Sequence, residues 1–325
     1  MKTKLIVIIP AYNEEKTIAK VIKGVPRQIE GVDDVEILVI NDGSTDNTIK
    51  EAEDAGALVI SHSRNEGLGI AFSTGIREAL KRGADLAVNI DADDQFDPQE
   101  IPKLIKPIIE QKADMVAGSR FEDENSLSQI PALKRWGNKT FTWFINLLTQ
   151  QHFTDTQCGF RAYSREALLK LNLSARFTYT QETFLDLVNK GIRIEQVPVK
   201  VKYYKQRKAK ISSSLFHYFL QTITIILRTF RDYRPLVFFG IPGITVFGIG
   251  FLLSLFSLIY WIINHQTTPI RMYAFVGIGL LIFGFLLIIL ALIADMLKKI
   301  RLNQEEILYK MKKQDYKKAN HNENL

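Results

Sequence analysis

Two long runs of apolar residues near the C-terminus constrain the architecture of this chain more than any other feature. Leu236–Ile263 extends for 28 residues without a charged side chain, and Met272–Ala294 extends for 23. Each run exceeds the roughly 20 residues that a helix needs to cross a bilayer. The connector between them is short and contains Pro269. The sequence therefore predicts a transmembrane hairpin of two helices within residues 235–297.

Basic residues flank this hairpin on its two outer sides. They are Arg228, Arg231 and Arg234 before the first run, and Lys298, Lys299 and Arg301 after the second. The connector carries only Arg271. By the positive-inside rule, both termini and the soluble part of the chain are expected in the cytoplasm. The formal net charge of +7 suits an anionic membrane surface, and no nucleic acid partner is predicted.

The segments on either side of the hairpin have different patterns. Residues 211–234 carry apolar side chains at helical spacing, which predicts an amphipathic helix lying in the membrane interface. The same pattern also fits a helix packed against the soluble domain. Residues 298–325 form a basic cytoplasmic tail, and we expect its end, from Tyr309 onward, to be disordered.

Residues 1–210 have the composition of a soluble domain, in which short apolar runs alternate with helical patterns. The runs are Lys4–Ile9, Val35–Ile40, Leu58–Ser61, Leu86–Ile90 and Met115–Gly118, and the helical patterns cover 14–24, 45–55, 70–82 and 98–111. This alternation predicts an α/β domain with a mostly parallel sheet covered on both faces. Ligands of such sheets bind at the carboxyl ends of the strands.

Two carboxylates, Asp91 and Asp93, follow the fourth predicted strand directly. Hard oxygen ligands at this spacing suit Mg²⁺ or Mn²⁺, and a divalent ion can neutralise a substrate diphosphate. An acidic turn that caps the helix beginning at Pro98 is the simpler interpretation of the same residues. The position at the end of a buried strand favours the metal site. Farther back, the glycines of Gly67-Leu68-Gly69 would let a ligand approach the backbone.

Several segments together resemble one known family. They are the run from Val7 to Glu14, Asn41–Asp46, Asp91–Gln95, Gly118–Arg120, Asp155–Arg161, and the basic run Tyr204–Lys210 before Ser212. This set resembles the family 2 glycosyltransferases of the GT-A fold, which is a Rossmann-like fold. Within the family it is most similar to the polyprenyl-phosphate hexose synthases, the group of dolichyl-phosphate mannose synthase and bacterial prenyl-phosphate glucosyltransferases. The resemblance covers about residues 4–215.

The resemblance implies roles for particular residues. Nucleotide-sugar binding is expected of Pro10, Tyr12, Glu14, Asp42, Gly69 and Asp91, and metal binding of Asp91, Asp93 and Gln95. Arg120, Arg207 and Ser212 are expected to bind the lipid phosphate, and the predicted catalytic residues are Asp93, Arg120, Glu182 and Arg207. Glu182 would act either as a base or as a positioning residue.

The implied reaction is inverting transfer of a hexose from a nucleotide-sugar to undecaprenyl or dolichyl phosphate. A UDP-hexose is the favoured donor and GDP-mannose the next. Two alternatives stay open: a membrane glycosyltransferase acting on a glycan hydroxyl, and a non-catalytic, nucleotide-binding membrane scaffold. The sequence also leaves open whether the chain forms a homo-oligomer.

Overall fold

The structure is a computed structural model, and it describes residues 3–121, 132–172, 179–202, 227–228, 230–266, 268 and 270–322. The chain divides into two compact units. One unit consists of Met1–Arg207 together with Ile307–Leu325, and the other is Lys208–Glu306.

The first unit is built around a seven-stranded sheet. Its strands are β1 (Lys4–Ala11), β2 (Asp34–Asn41), β3 (Leu58–Ser61), β4 (Leu86–Asn89), β5 (Met115–Ser119), β6 (Arg161–Ser164) and β7 (Ile194–Pro198). They lie in the order β3-β2-β1-β4-β6-β5-β7. All are parallel to their neighbours except β6, which is antiparallel to both β4 and β5. The expected α/β class with a mostly parallel sheet is confirmed.

Helices occupy the connections between the strands. They are α1 (Ile18–Gly24), α2 (Thr48–Asp54), α3 (Leu68–Lys81), α4 (Ile101–Ile109), α5 (Ala132–Thr149), α6 (Arg165–Lys170) and α7 (Tyr179–Asn189). A short 3-10 turn, Pro98–Glu100, precedes α4, and Asp97 caps this turn by accepting a hydrogen bond from the backbone N–H of Gln99 at 3.0 Å. Asp97 is therefore the N-cap residue of this turn.

The core explains why the sheet has helices on both faces. Alternate residues of β1 point to opposite sides of the sheet. Leu5 and Val7 belong to a buried cluster that includes residues of α1 and α4. On the other face, α3 approaches so closely that a Cβ on Gly75 would lie 2.4 Å from a methyl group of Ile8. Both faces of β1 are thus buried, and every residue from Leu5 to Ile9 is fully buried.

The second unit contains two long apolar helices, α8 (Ile241–Asn264) and the first part of α9 (Arg271–Asn322). A π-helical turn, Leu236–Gly240, leads into α8. Only 11% and 17% of the most apolar windows of these helices are buried, which is unlike the core helices of a soluble protein. A Cβ on Gly250 would lie 2.6 Å from the backbone nitrogen of Leu281, so the two helices pack closely. The predicted pair of candidate membrane spans is confirmed.

Two predictions about the flanking segments have different outcomes. The interfacial helix, residues 211–234, lies largely outside the described residues. The prediction of a disordered tail is wrong for the described residues, because α9 stays helical to Asn322. The residues from Ile307 onward belong to the first unit.

Tyr316 anchors this C-terminal segment to the rest of the first unit. Its side chain is 5% exposed, and its hydroxyl donates to Oδ1 of Asp85 at 3.0 Å. Arg165 donates to the same hydroxyl at 3.1 Å and lies over the ring. One turn earlier, Lys312 Nζ donates to the carbonyl oxygen of Leu171 at 2.8 Å. The many lysines of this segment suggested a disordered, solvated tail. Tyr309 and Tyr316 instead contact the rest of the first unit from one face of the helix.

We expect Tyr316→Ala to lower the free energy of unfolding of the first unit by about 1–3 kcal/mol, because it removes a buried ring and leaves Asp85 and Arg165 without this partner. Met311→Ala is the matched control on the same helix, since the Met311 side chain is 57% exposed. Thermal unfolding of the full chain in detergent measures both. Equal shifts for the two variants would show that the tail does not stabilise the unit.

Candidate active site

The register of the parallel strands brings several loops together at one edge of the sheet. Ala11 at the end of β1 pairs with Asn41 at the end of β2, and Asn41 pairs with Ser61 at the end of β3. On the other side of β1, Asn89 at the end of β4 pairs with Arg161 at the start of the antiparallel β6. The loops after β1, β2, β3 and β4 and the loop before β6 therefore adjoin, at the edge where the sequence predicted the site.

Hydrogen bonds join the loop after β1 to the loop after β2. The Oδ1 atom of Asn13 accepts a hydrogen bond from the backbone N–H of Thr45 at 2.8 Å. The backbone N–H of Asn13 donates to Ser44 Oγ at 3.0 Å. The backbone N–H of Glu14 donates to Thr48 Oγ1 at 2.8 Å. These bonds fix the backbone around Tyr12, whose side chain is 38% exposed, while Pro10 is buried in β1.

Asp42 is buried, and its carboxylate binds the segment that leads into α3. It accepts hydrogen bonds from the backbone N–H groups of Glu66 and Gly67, at 2.9 and 2.8 Å. The Nδ1 atom of His62 lies 2.8 Å from Asp42 Oδ1, and its Nε2 atom lies 3.1 Å from Thr74 Oγ1. In this structure Asp42 thus orders the 62–67 segment, from which the chain enters α3.

His62 was not predicted as a site residue. Its signal in the sequence is its position, because it directly follows the end of β3, as Asp42 follows the end of β2. Gly69, which was predicted, is buried in the first turn of α3. Asp42 therefore acts on the position of Gly69 through the backbone of the preceding loop.

Gly43 permits the close contact between the loops after β2 and β3. Its φ is +71°, a left-handed conformation that favours glycine. A Cβ on Gly43 would lie 2.4 Å from the backbone carbon of Arg64, well inside van der Waals contact. The residue at position 43 must therefore be glycine if the two loops are to keep this spacing.

Asp91 and Asp93 lie in the loop after β4, and their mutual repulsion is part of the electrostatics of the site. Burial, followed by the negative charge of Asp93, raises the pKa of Asp91 to about 7, against the opposing effects of Arg120 and Arg161. The charge of Glu14 raises this pKa further, so Glu14 is also within electrostatic reach. Four of the predicted site residues, Glu14, Asp91, Asp93 and Arg120, are therefore brought together.

Within the described residues, no group of three or more His, Cys, Asp or Glu side chains is arranged to hold a metal ion. The protein would supply the carboxylates of Asp91 and Asp93, and further oxygen ligands would come from a bound diphosphate. A pair of partly buried like charges is stabilised by a divalent cation, so the residues present fit such an ion.

Gln95 follows the acidic pair, and its backbone N–H donates to Asp93 Oδ1 at 3.1 Å. Its carbonyl oxygen accepts a hydrogen bond from the backbone N–H of Lys202 at 2.8 Å. Lys202 is the last described residue before the basic run, which itself lies outside the described residues. Arg207 and Ser212 themselves lie outside the described residues.

Arg120, at the end of β5, forms a bidentate ion pair with Asp155. Its Nε and Nη2 atoms lie 2.7 and 3.1 Å from the two carboxylate oxygens. Asp155 is fully buried, whereas the Arg120 side chain is 22% exposed. The pair fixes the orientation of the planar guanidinium at the edge of the site.

Behind the acidic pair lies a buried layer that the sequence analysis did not assign. Arg161 donates from its side chain to the carbonyl oxygens of Cys158, Thr180 and Thr156, at 2.7, 2.8 and 3.1 Å. The contact with Thr180 joins the loop before β6 to α7. The predicted Glu182 lies in the first turn of this helix and is partly buried. The sequence feature that could have indicated a role for Arg161 is a charged residue at the start of a strand.

Sequence comparison identifies the family. Residues 6–171 match the profile of glycosyl transferase family 2, which is just over half of the chain. The chain belongs to this family. The catalytic unit is therefore that of a glycosyltransferase, and the GT-A fold expected from the motifs is confirmed.

Named relatives of this glycosyltransferase include proteins that act on lipid phosphates. The chain is 34% identical over 231 residues to the UDP-N-acetylglucosamine–dolichyl-phosphate N-acetylglucosaminyltransferase of Methanococcus voltae, covering 65% of this chain and 90% of the relative. It is 30% identical to glycosyltransferase AglJ of Haloferax volcanii, covering 90% and 96%. It is 26% identical to the undecaprenyl-phosphate mannosyltransferase of Micrococcus luteus, covering 65% and 89%.

A solved structure supports the fold. Glucosyl-3-phosphoglycerate synthase of Mycobacterium tuberculosis, crystallised with Mn²⁺, UDP and its product, superposes with a TM-score of 0.52 at 23% identity. The match covers 71% of this chain and 80% of that protein. At this identity the similarity is one of fold.

The raised pKa of Asp91 predicts a specific pH dependence for the metal-free glycosyltransferase. Between about pH 4 and pH 7 the folded state retains a proton on Asp91 that the unfolded state has lost, so this residue reduces stability progressively as pH rises. We expect Asp91→Asn to be more stable than the wild type in EDTA, by a margin that grows up to about pH 7 and then levels off. Thermal unfolding across pH measures this margin; a constant margin would contradict the raised pKa.

We expect Gly43→Ala to lower the free energy of unfolding by about 1–3 kcal/mol more than Gly56→Ala, because only the first places a methyl group against a neighbouring backbone. The two glycines are matched in conformation, with φ of +71° and +85°, and nothing lies within 4 Å of a Cβ on Gly56. Chemical denaturation gives the stabilities, and equilibrium dialysis with UDP gives the effect on the nucleotide. Equal losses for both variants would mean that the contact between the loops is not tight.

Proposed function

We propose that this glycosyltransferase transfers a hexose from a nucleotide-sugar to a polyprenyl phosphate. A UDP-hexose is the favoured donor and GDP-mannose the next, and the acceptor is undecaprenyl or dolichyl phosphate. The reaction inverts the anomeric centre and takes place at the cytoplasmic face of a membrane, to which the two candidate spans attach the chain.

The observation that carries the proposal is the distribution of charge at the edge of the sheet. Asp91, which is close to Asp93, lies within electrostatic reach of Arg120, a guanidinium already oriented by Asp155. An acidic pair suits a metal bound to a donor diphosphate, and a fixed guanidinium suits the phosphate of an acceptor. The named relatives from Methanococcus voltae and Micrococcus luteus use dolichyl and undecaprenyl phosphate, which supports the same acceptor class here.

On the donor side, the loops after β1 and β2 would hold the nucleoside. Tyr12 is exposed at this edge, and the backbone around it is fixed by the bonds of Asn13 and Glu14 to the neighbouring loop. Asp42 would act mainly by holding the 64–67 loop against the nucleotide, since its carboxylate already accepts three hydrogen bonds. A preformed donor site of this kind reduces the entropy lost on binding.

Mg²⁺ or Mn²⁺ would be held by Asp91, Asp93 and Gln95 together with the donor diphosphate. When bound, it would neutralise charge on the departing nucleoside diphosphate. Asp93 has its carboxylate orientation fixed by the backbone N–H of Gln95. The protein's own residues then align donor and acceptor, which is the main contribution to catalysis when no difficult proton transfer is needed.

The acceptor phosphate would need no general base. A phosphate monoester has a second pKa near 6, so it is largely dianionic at neutral pH. One of its oxygens attacks the anomeric carbon while the bond from that carbon to the diphosphate oxygen breaks, so an α-linked donor gives a β-linked lipid phosphate sugar. Arg120, with Arg207 and Ser212, would orient the phosphate. Glu182 would then be a positioning residue in α7.

The test compares two acceptors that differ only in the phosphate, undecaprenyl phosphate and undecaprenol. The full chain in detergent with Mn²⁺ is incubated with each acceptor and a panel of UDP- and GDP-sugars, and lipid-linked sugar is detected by mass spectrometry. We expect a product with undecaprenyl phosphate and not with undecaprenol, and with only one of the donors. Addition of EDTA should abolish this product. Asp93→Asn should abolish the product while the protein stays folded.

Other outcomes separate the alternatives. Transfer to undecaprenol, or to an oligosaccharide but not to the lipid phosphate, would identify a hydroxyl acceptor and require a base such as Glu182. Nucleotide binding without consumption of any donor would indicate a non-catalytic scaffold. Either result would overturn the proposed function.

A further inference from the structure

Tyr179, the first residue of α7, lies buried behind the acidic pair and has a hydroxyl group that packing does not require. Its side chain is 1% exposed, and its ring stacks on Phe72 with ring centroids 4.1 Å apart. A phenylalanine would make the same stacking contact. A buried hydroxyl is costly unless it forms hydrogen bonds, so its bonds indicate what it does.

The hydrogen bonds of Asn89 determine the direction of the Tyr179 proton. Asn89 Nδ2 lies 2.9 Å from the carbonyl oxygen of Gly159 and 2.9 Å from the Tyr179 hydroxyl. A carbonyl oxygen can only accept, so the atom facing it must be the amide nitrogen, and Tyr179 receives its second proton. The proton of the Tyr179 hydroxyl therefore points elsewhere, and no described residue accepts it.

The carboxylate of Asp91 is the acceptor within reach. A Cβ on Gly159 would lie 3.0 Å from Asp91 Oδ2 and 3.2 Å from the Tyr179 hydroxyl. These two oxygens are therefore no more than about 6.2 Å apart, and both lie against the position that a side chain on Gly159 would occupy. A rotation of the Asp91 side chain or one bridging water closes this distance. No described residue donates a hydrogen bond to Asp91.

We propose that Tyr179 is a positioning residue for the metal site, donating its hydroxyl proton to the Asp91 carboxylate and fixing that carboxylate for the divalent cation. The inference rests on the proposed function, because it requires Asp91 to be a metal ligand. Hydrogen bonds from a second layer commonly orient metal-binding carboxylates. Gly159 orients Asn89 and Asn89 orients Tyr179 through the two hydrogen bonds described above. The proposed bond would extend this layer to Asp91.

The test removes only the hydroxyl, with Tyr179→Phe. Mn²⁺ binding to the full chain in detergent is measured by electron paramagnetic resonance, with Mn²⁺ alone and with UDP present. We expect about tenfold weaker Mn²⁺ binding. The melting temperature in EDTA should fall only slightly, because one proton of the buried Asn89 amide loses its acceptor. In the transferase assay, the Mn²⁺ concentration for half-maximal rate should rise by a similar factor, while the rate at saturating Mn²⁺ changes little.

Tyr163→Phe is the matched control. Tyr163 is also fully buried and packs against Phe72, with ring centroids 5.9 Å apart. It pairs in the sheet with Ala87, four residues before Asp91, and its hydroxyl lies near the side chains of Arg161 and Thr183. We expect its Mn²⁺ affinity to equal that of the wild type.

Asp91→Asn separates failure of this inference from failure of the proposed function. If Asp91→Asn weakens Mn²⁺ binding and Tyr179→Phe does not, the inference is wrong and the metal site stands. If neither variant weakens Mn²⁺ binding, Asp91 is not a metal ligand and the metal-dependent function is overturned as well. Equal weakening by Tyr179→Phe and Tyr163→Phe would also overturn the inference, since it would show a general effect of removing buried hydroxyls.

Discussion

The inner wall of the site, formed by the loop before β6 and the start of α7, depends on the hydrogen bonds of the buried Arg161 guanidinium. It donates to the carbonyl oxygens of Thr156 and Cys158 in the loop before β6, and to that of Thr180 in α7. Its charge lies 4.7 Å from the ring centroid of Phe184. A cation buried in this way is costly unless its donors are satisfied, so the loop and the helix must keep these positions together. The same cation offsets part of the energetic cost of ionising Asp91.

The loops after β2 and β3, which we call the outer wall of the site, are held together by a carboxylate that accepts hydrogen bonds from backbone N–H groups. Asp42 holds the N–H groups of Glu66 and Gly67, and His62 supports Asp42 from the side. The two walls have a common feature, which is that charged groups bind main-chain atoms of loops. Loops held by buried charges keep a fixed conformation without secondary structure of their own. Such loops can present exposed groups, such as Tyr12, to a ligand with little loss of entropy on binding.

Much of the fold could be predicted from local patterns, and the exceptions have identifiable causes. The five predicted strands are present because runs such as Leu5–Ile9 are apolar throughout, as in a strand buried on both faces. β6 and β7 were missed because their sequences are not apolar runs: β6 begins with Arg161, and β7 contains Glu195 and Gln196. The C-terminal segment was expected to be disordered because its lysines dominate its composition, yet Tyr316 buries one face of the helix.

The sequence by itself determined the class of the protein, the two candidate spans and the chemical character of the site, because strand ends, carboxylate spacing and long apolar runs are local properties. The tertiary structure decided which of the predicted side chains form hydrogen bonds within the protein itself. Asp42 was predicted to bind the nucleotide-sugar because of its position at the end of a strand. Its carboxylate instead accepts hydrogen bonds from backbone N–H groups of the loop after β3. Arg161 comes within electrostatic reach of Asp91 only because the antiparallel β6 inserts between β4 and β5. Contacts between residues about 70 to 90 positions apart, such as those of Asn89 with Gly159 and Tyr179, leave no periodic signal in a sequence.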